Sequence, residues 1–437
     1  MIDYVKNTLV VGLNYGDEGK GLITDFLTHK SMQNGSPVLN VLHNGGGQRG
    51  HTVELKDGTR HIFSNMGAGT FAGASTFMTG EFIVNPALLM IELGEILALG
   101  YNPTIYIDRR LRVSTPFDML ANQIIESSIN KIRLGTCGKG IWQTILRHRD
   151  LPLTMEMCEK MVKECSYGDT NSTDHPLYKY VKKIRDYYLN KIGESKIPNE
   201  WKTLFLDDGL IHHFVADVSF MASGNENIIP VTHTEFVSNY IGKMYDSIIF
   251  EGGQGLKISG DLPMDQEHNT PSSTGTKNPV RIIKEWKVIN PKIFFWAEVV
   301  YVSRTYYTRH GKGYFSPSFT REDLSKKVLI CDKSNEYNEW QGRLRYAPIE
   351  EVNLHSLFST WSSLNSTEFF YRPSFKFDGI SYAFTHCDEI PITETPIPKG
   401  EKWLMDTKNI ILSAGPTREH VVMGDGLNDA LHKLENL

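Results

Sequence analysis

Cysteine is scarce in this chain and forms no recognisable pattern. Five cysteines occur among 437 residues, and none lies in a CxxC or Cys/His arrangement with the spacing of a zinc site. Cys158 and Cys165 are predicted to share one helix, where a rise of ~1.5 Å per residue separates them by about 10 Å, too far for a disulfide. The sequence therefore predicts neither a disulfide framework nor a zinc module, and it indicates the reducing environment of the cytoplasm.

Long hydrophobic runs and a large excess of one charge are also missing. No apolar run approaches the roughly 18 residues of a membrane span, and the N-terminus has no signal-peptide core. The net charge of −5 gives no reason to expect nucleic acid or an anionic membrane as a partner. With 40% hydrophobic and 22% charged residues, the composition is that of a globular protein with a large core.

Glycine, in contrast, is concentrated in turns that follow apolar strands, and the first such turn organises the chain. An apolar run at residues 8–12 leads into a glycine-rich turn, after which a helical pattern begins near Lys20. This order directs backbone N–H groups toward a phosphate. The turn is not a Walker A loop, because six residues separate Gly12 from Gly19 and because Gly21, rather than Ser or Thr, follows Lys20.

Two carboxylates, Asp17 and Glu18, lie inside this first turn. A loop that only held phosphate would gain nothing from two negative charges. They are explained if one of them binds Mg²⁺ or removes a proton from a substrate.

The order of the remaining elements predicts an α/β fold. Apolar strands alternate with helices such as residues 86–99, which Asn85 can cap, and a strand-like run covers 299–308. We expect a large, mostly parallel central sheet flanked by helices, in a P-loop-NTPase-like architecture with inserted helical and loop subdomains. Residues 1–437 are predicted to form one domain, within which the polar helices of 151–225 form an insertion that serves as scaffold or lid.

Eight short motifs, taken together and in chain order, resemble those of the adenylosuccinate synthetase family. They are Gly16-Asp17-Glu18-Gly19-Lys20-Gly21, Gly50-His51-Thr52, Gly135-Thr136 with Gly138, Glu251-Gly252 with Gln254-Gly255, Tyr307-Thr308-Arg309, Gly342-Arg343-Leu344-Arg345, Thr385 with Asp388, and Ser413 with Gly415-Pro416. Residues 150–225 have no counterpart in that resemblance.

The resemblance implies a cytoplasmic, homodimeric ligase that joins L-aspartate to C6 of IMP with GTP and Mg²⁺. The purine 6-oxygen is a poor leaving group, so it must first be phosphorylated, and a base must remove the N1 proton to make it nucleophilic. The resemblance assigns that base to Asp17, also a Mg²⁺ ligand with the Gly50 carbonyl. Lys20 would hold phosphates, while His51 and Gln254 would stabilise developing negative charge.

The same resemblance implies three binding sets. The GTP set comprises Gly16, Gly19, Gly21, Thr385, Asp388, Ser413, Gly415 and Pro416, in which Asp388 would accept the N1–H and N2–H of guanine. The IMP set comprises Asn44, Gln48, Thr136, Cys137, Gln254 and Thr270. The aspartate set comprises Gln341, Gly342, Arg343 and Arg345, whose two arginines would clamp a carboxylate. Arg147 and Arg149 are candidates for an arginine that the family sends from a second subunit to the IMP phosphate.

Four departures from the family pattern affect substrate identity. Gln48-Arg49 stands where the family has Asn-Ala, Cys137 replaces a Thr, Trp340-Gln341 replaces two Thr, and His386 replaces a Lys beside the guanine. A related phage branch uses dGMP instead of IMP and tends to lose the carboxylate that matches Asp17, so Asp17 favours IMP. If Gln48 and Arg49 point away from the pocket, IMP is favoured further.

Two alternatives stay open besides IMP ligation. The same chemistry could act on dGMP or another purine nucleotide, giving a 2-aminoadenylosuccinate-type product. A protein that binds a purine nucleotide without turnover is the other alternative, which Cys137, Trp340 and His386 motivate. The acidic balance and the lack of a basic, aromatic patch argue against an enzyme that acts on nucleic acid.

Overall fold

A ten-stranded sheet forms the centre of the molecule, seen in a computed structural model that describes residues 4–129, 135–165, 170–262, 266–315, 337, 339–349, 375–397 and 407–437. The strand order is β16-β15-β14-β11-β1-β10-β2-β5-β7-β9. Every neighbouring pair is parallel except β15 and β16, which are antiparallel. The predicted large, mostly parallel sheet is therefore confirmed.

The strands of the described chain are short at the sheet margins and long at its centre. Those of the large sheet are β1 (Tyr4–Gly12), β2 (Val38–Leu42), β5 (Ser75–Met78), β7 (Ile105–Asp108), β9 (Ile228–Val231), β10 (Ser247–Gly255), β11 (Phe294–Arg304), β14 (Lys376–Thr385), β15 (Ile410–Ser413) and β16 (Val421–Gly424). Three two-stranded sheets are formed by β3 (His51–Glu54) with β4 (Arg60–Phe63), β6 (Ile83–Val84) with β8 (Arg112–Val113), and β12 (Tyr306–Arg309) with β13 (Arg345–Pro348).

Helices flank the sheet, as the alternating pattern predicted. Within the described residues they are α1 (Lys20–Gln33), α2 (Pro86–Ala98), α3 (Pro116–Ile124), α4 (Ile141–Asp150), α5 (Met155–Lys163), α6 (Pro176–Ile192), α7 (Asn199–Phe205), α8 (Gly209–Ser223), α9 (His233–Tyr240), α10 (Lys277–Ile289) and α11 (Leu427–Glu435). The Asn85 side chain accepts a hydrogen bond from the N–H of Leu88 at 3.3 Å, which confirms the predicted cap of α2. No helix in this set is long and apolar enough to cross a membrane.

β1 is the central strand, and its side chains alternate between two buried layers. Leu9 and Val11 join a large apolar cluster on one face, whereas Val10 packs with Leu22 and Ile23 of α1 on the other. A strand buried on both faces reads as a continuous apolar run, which explains the sequence around residues 8–12.

The turns predicted from the sequence meet because parallel strands place their carboxyl ends at one edge of a sheet. β1, β10 and β11 end there, next to β14 and β15. The glycine-rich turn after β1 therefore lies beside turns that are far away in the sequence.

Two local predictions were wrong. The run 299–308 is not one strand: β11 ends at Arg304, because at Thr305 the chain leaves β14 and then pairs with β13. The helix predicted to carry Cys158 and Cys165 ends at Lys163. Both cysteines are free thiols.

Candidate active site

A cavity of about 2150 Å³ opens at the carboxyl edge of the central strands. Its wall contains most of the residues that the sequence marked, namely Gly16, Asp17, Gly19, Lys20, Gly21, Gln48, Gly50, His51, Thr136, Cys137, Gln254, Thr270, Gln341, Thr385, Asp388, Ser413, Gly415 and Pro416. Four residues of the three binding sets are outside this wall, namely Asn44, Gly342, Arg343 and Arg345, and so are the two further candidates Arg147 and Arg149.

The first glycine turn separates its two carboxylates. Glu18 is buried under the turn, where it accepts a hydrogen bond from the N–H of Asn14 and lies 3.2 Å from Nζ of Lys20. A Cβ atom at Gly12 would lie 2.0 Å from Oε2 of Glu18, so this fold of the turn requires glycine there. Burial raises the pKa of Glu18, although the charge of Lys20 opposes that shift. Asp17, by contrast, keeps 27% of its side chain exposed at the cavity wall.

Strained backbone is concentrated at this cavity. Among the described non-glycine residues, positive φ angles occur at Asp17 (57°), Gln254 (57°) and His386 (63°), and all three line the cavity wall. A left-handed conformation at a non-glycine residue costs about 1–3 kcal/mol and persists where the surroundings enforce it. Such residues gather at functional sites, so the backbone independently marks two of the proposed catalytic residues.

His51 belongs to a buried triad with Glu251 and Arg49. Its Nδ1 is hydrogen bonded to Oε1 of Glu251, and Nη2 of Arg49 lies 2.7 Å from the same oxygen. The N–H of Ala68 donates to the other Glu251 oxygen at 2.9 Å, while Arg49 also donates to the carbonyls of Glu251 and Met66. The guanidinium of Arg49 therefore contacts Glu251. Because Nδ1 of His51 is bonded to Glu251, Nε2 is the ring nitrogen that remains able to contact a ligand in the cavity.

Charges within the triad fix its protonation. Burial, assisted by the charge of Arg49, lowers the pKa of His51 to about 4. Burial alone would raise the pKa of Glu251, but Arg49 and the hydrogen bond with His51 outweigh it and lower the pKa to about 2. At neutral pH the triad therefore holds a neutral imidazole, a carboxylate and a guanidinium.

Two glutamines lie together on the next part of the wall. Oε1 of Gln254 is 3.5 Å from the hydroxyl of Thr270, which leaves the Gln254 amide nitrogen as a donor. Gln48 is half-buried, and its amide oxygen has no hydrogen-bond partner among the described residues. Asn44 is structural instead, because its amide oxygen accepts the N–H of Gly253 at 2.8 Å and its amide nitrogen donates to the Gly253 carbonyl at 3.1 Å.

The third glycine loop is held by an asparagine. Asn122 donates to the hydroxyl of Thr136 at 3.0 Å and accepts the N–H of Gly140 at 3.1 Å. Burial raises the pKa of Cys137 on the same loop, so its side chain is a neutral thiol.

The opposite wall comes from the ends of β14 and β15. The Thr385 hydroxyl donates to the carbonyl of Glu18 at 2.9 Å, and a Cβ atom at Gly19 would approach Thr385 to 2.9 Å. Asp388 is exposed on this wall. The Ser413 hydroxyl donates to the Gly415 carbonyl at 2.9 Å.

The arginines marked for aspartate do not reach the cavity wall. Arg343 is exposed, and Arg345 donates to the carbonyls of Gly311 at 2.8 Å and Gly313 at 3.2 Å. Gln341 alone of the four marked residues lies in the wall. Trp340 packs against the third glycine loop, where a Cβ atom at Gly138 would lie 3.0 Å from the indole.

The sequence analysis did not identify several residues of the cavity wall. Arg304 donates from Nε to the carbonyl of Asp17 and from Nη1 to the Tyr306 hydroxyl at 2.8 Å. Nε2 of His310 lies 3.6 Å from Oδ2 of Asp17. A charge at the end of the apolar strand β11 could have signalled Arg304. Lys191 and Lys196, which also line the wall, gave no signal because they lie in a polar helical segment.

Oxygen ligands suited to Mg²⁺ are present although a dedicated metal cluster is not. Among the described residues, no group of three or more His, Cys, Asp or Glu side chains could hold a metal. Mg²⁺ commonly takes one or two carboxylates together with substrate phosphates and water. The partly exposed Asp17 carboxylate and the backbone of Gly50 lie in one cavity wall and fit such a set.

Comparison with known sequences gives one consistent family. A model described as adenylosuccinate synthetase matches residues 9–187. The adenylosuccinate synthetase of Acaryochloris marina is 25% identical over 353 residues, which cover 78% of this chain and 68% of the relative. That of Thermoplasma volcanium is 24% identical over 446 residues, which cover 92% and 86%.

Solved structures share the fold. A fully ligated adenylosuccinate synthetase from Plasmodium falciparum matches with a TM-score of 0.64 and 14% identity, over 95% of this chain and 99% of that one. The cyanophage S-2L succinoaminodeoxyadenylate synthetase, bound to dGMP and to dATP as an energy donor, matches with a TM-score of 0.61 and 15% identity, over 99% of both chains.

Proposed function

We propose that this chain is a divergent member of the adenylosuccinate synthetase family and that it is a GTP-dependent ligase joining L-aspartate to C6 of IMP. The products are adenylosuccinate, GDP and phosphate, and the reaction belongs to purine nucleotide synthesis. The observation that carries the proposal is the arrangement of Asp17: its side chain is 27% exposed at the cavity wall whereas that of Glu18 is buried, and it lies on strained backbone in the same wall as Gln254 and His51.

The first chemical step makes the purine oxygen nucleophilic. Asp17 takes the proton from N1, and the electron pair moves to O6, which attacks the γ-phosphorus of GTP and displaces GDP. Gln254 donates its amide N–H to the developing charge on O6, a kind of contact worth about 3–4 kcal/mol. Phosphate is then a good leaving group when the amino group of aspartate attacks C6.

His51 stabilises the phosphoryl group in transit. Because Glu251 holds Nδ1, the ring directs Nε2 to the cavity. Negative charge on the phosphoryl oxygens favours a proton on Nε2, and the ionised Glu251 balances the resulting imidazolium. Lys20 would contact the phosphates of GTP while its ammonium group stays 3.2 Å from the Glu18 carboxylate.

Asp17 and the carbonyl of Gly50 would hold Mg²⁺, which when bound supplies neutralising charge to the phosphates. The GTP phosphates would bind the turn at Gly16, Gly19 and Gly21 with Thr385. Asp388 would accept both donors of guanine, next to Ser413, Gly415 and Pro416. Its exposure leaves the carboxylate accessible to a base.

The loop with Gln341, Gly342, Arg343 and Arg345 would bind aspartate. In the described arrangement Gln341 is the residue within reach, while Arg345 ties the loop to residues 311–313. The acceptor would contact Thr136, Cys137, Thr270 and Gln48, with Asn44 supporting the Gly253 backbone.

A second acceptor, dGMP, is favoured by one observation. The buried amide oxygen of Gln48 has no hydrogen-bond partner among the described residues, and the 2-amino group of guanine would donate to it. Arg49, the other departure at this point, points onto Glu251 and takes no part in the choice. Gln48→Ala should therefore lower kcat/KM for dGMP more than for IMP if dGMP is the acceptor.

The test is product formation by the purified protein. With IMP, GTP, aspartate and Mg²⁺ we expect GDP, phosphate and a succinylated purine, and Asp17→Asn should lower turnover by orders of magnitude while nucleotide still binds. Asp174→Asn, which changes an exposed carboxylate paired with Lys179, serves as the matched control. Product from dGMP but not IMP would overturn the acceptor, and binding without any turnover would favour a nucleotide-binding protein.

The same proposal includes the assembly and setting of the protein. We expect residues 1–437 to act as one unit with 151–225 as an insertion. We also expect a homodimer in the cytoplasm, where the described cysteines stay free thiols. Light scattering of the purified chain would test the dimer.

A further inference from the structure

The helical insertion reaches the cavity. The C-terminal part of α6 contributes Tyr188, Lys191 and Ile192 to the same wall system as Asp17, and Lys196 follows a few residues later. A segment that the sequence suggested as scaffold or lid thus presents two lysines to the site.

Packing holds this end of α6 in place. Ile184, Tyr188 and Ile192 are buried in another large apolar cluster, separate from the one that contains Leu9 and Val11. The hydroxyl of Tyr188 donates to Oδ1 of Asp118 at 2.6 Å and to the Gln143 carbonyl at 3.0 Å. Gln143 belongs to α4, which begins directly after the third glycine loop, so the insertion adjoins the loop that carries Thr136.

Among the residues that the structure describes, neither lysine forms an ion pair with a carboxylate. Nζ of Lys191 binds the Tyr187 hydroxyl at 2.7 Å and lies 5.0 Å from the centre of that ring, while the described residues give Lys196 no ion pair. Two other cations of the wall are each paired with a carboxylate: Arg49 pairs with Glu251 and Lys20 with Glu18. This part of the wall therefore carries unbalanced positive charge.

Arg147, one of the two arginines considered for contact with a second subunit, is not available to bind a phosphate, whereas Arg149 is exposed. Arg147 is fully buried, with Nε 2.8 Å from Oδ1 of Asp118 and with its other nitrogens on the carbonyls of Val113 and Leu151. Removing it from this setting would leave Asp118 buried and unpaired, at a cost of about 3–5 kcal/mol.

We propose that Lys191 and Lys196 bind the 5′-phosphate of the acceptor nucleotide, so that the insertion completes the acceptor site within one chain. The choice of ligand rests on the proposed function, which puts the purine at Asp17 and Gln254 and the rest of the nucleotide near Thr136. A phosphate monoester carries up to two negative charges. The ammonium group of a lysine can contact it from many directions, because the side chain is flexible and the charge is compact.

Equilibrium binding and steady-state kinetics test the proposal with the full-length protein. Calorimetric titration with IMP and with dGMP should show the dissociation constant rising about tenfold for Lys191→Gln and again for Lys196→Gln, because each change removes a charged contact. Inosine and deoxyguanosine, which lack the phosphate, should bind all variants equally. Lys191→Arg with Lys196→Arg should restore most of the affinity.

Lys183→Gln is the matched control, since Lys183 is exposed on the same helix but outside the cavity wall. The proposal fails if wild-type and lysine variants bind the monophosphates equally, or if the variants raise KM for aspartate or GTP instead. If the wild type gives no turnover yet binds the monophosphates in a manner that needs both lysines, the proposed reaction falls and the phosphate site stands.

Discussion

The buried carboxylate of Glu251 next to His51 is expected to affect both turnover and the free energy of unfolding. Glu251 has no exposed surface and serves both His51 and Arg49. A buried carboxylate that loses its charge leaves its cationic partner uncompensated, which costs about 3–5 kcal/mol. Changing Glu251 alone would therefore mix two effects, and changing it with Arg49 separates them.

We expect Glu251→Gln to lower the free energy of unfolding by about 3 kcal/mol and kcat by about 10- to 100-fold, since outer partners of reactive groups have effects of that size. Adding Arg49→Met should recover most of the stability, because no charge is then unpaired, but not the rate. Urea denaturation and steady-state kinetics measure both. A double variant with wild-type kcat would show that Glu251 does not position His51.

His43 offers a separate test of buried charge. Neither of its ring nitrogens has a hydrogen-bond partner in the described part of the chain, and burial lowers its pKa to about 3. In the unfolded chain His43 binds a proton below about pH 6.5, whereas in the folded chain it stays neutral until the pH approaches 3. The folded state therefore has its full stability with respect to His43 above pH 6.5, and it loses free energy of unfolding as the pH falls toward 3.

Replacing His43 with leucine removes this pH dependence of the free energy of unfolding. Between pH 7 and pH 5 the wild type should lose about 2 kcal/mol more of its free energy of unfolding than His43→Leu does. Denaturation curves of both proteins at the two pH values give the difference. Equal losses would mean that His43 accepts a proton in the folded state.

At this scale the sequence identified residue types better than their partners. It marked both Asp17 and Glu18, but only the burial of Glu18 against Gly12 and Lys20 shows which of the two carboxylates is exposed at the cavity. It marked Arg49 as a bulky change near the substrate, whereas its guanidinium belongs to Glu251, some two hundred positions away. Such pairings depend on tertiary contacts that no local pattern encodes.

Among the elements, the third glycine loop, the segment around Trp340 and the insertion meet at one point. The Trp340 indole packs on Gly138, and its ring centre lies 6.4 Å from that of Trp201 in α7. Gln341, the residue of this segment at the cavity wall, follows Trp340 directly. The placement of Gln341 therefore depends on the space that Gly138 leaves.

Gly138→Ala should raise KM for L-aspartate roughly tenfold, because a Cβ atom 3.0 Å from the indole displaces Trp340 and the residue after it. The φ of 70° at Gly138 adds about 1–2 kcal/mol of strain. Steady-state kinetics with each substrate varied in turn measures the effect. A uniform fall in kcat for all substrates would argue for general damage instead.

Gly94→Ala is the control, since Gly94 is exposed in α2 with nothing within 4 Å of an added Cβ. It should leave the kinetics unchanged and raise stability by about 0.5–1 kcal/mol.

Helices and strands were predictable where local signals agreed. Asn85 and Pro86 correctly predicted the start of α2, and the apolar run correctly predicted β1. The break at Thr305 was not predictable, because residues on both sides favour strand and the break comes from exchanging β14 for β13 as partner. The approach of α6 to the cavity depends likewise on packing between distant elements.

On the scale of the whole molecule, the strand order interleaves the two halves of the chain. β1 lies between β10 and β11, which begin at Ser247 and Phe294. The matched segment 9–187 thus contains the last four residues of the central strand, 9–12, but neither of the neighbouring strands. It cannot bury both edges of β1 by itself.

A fragment of residues 1–225 should therefore show no cooperative unfolding transition, whereas the full chain should. Circular dichroism during urea denaturation measures this. Full-length protein cleaved after folding at the exposed Gly224 should keep its transition, because the strands are then already paired. A sharp transition in the fragment would show that its strands are self-sufficient.

The central position of β1 also delays its pairing during protein synthesis. The ribosome releases β1 first, but its partners follow only after residues 13–246, which take roughly 10 to 50 seconds at about 5–20 residues per second. For that time a strand whose second half is apolar has two open edges, a condition that promotes aggregation. Yield in the cell should then depend on holdase chaperones that act on the nascent chain and on translation speed across the first half of the message.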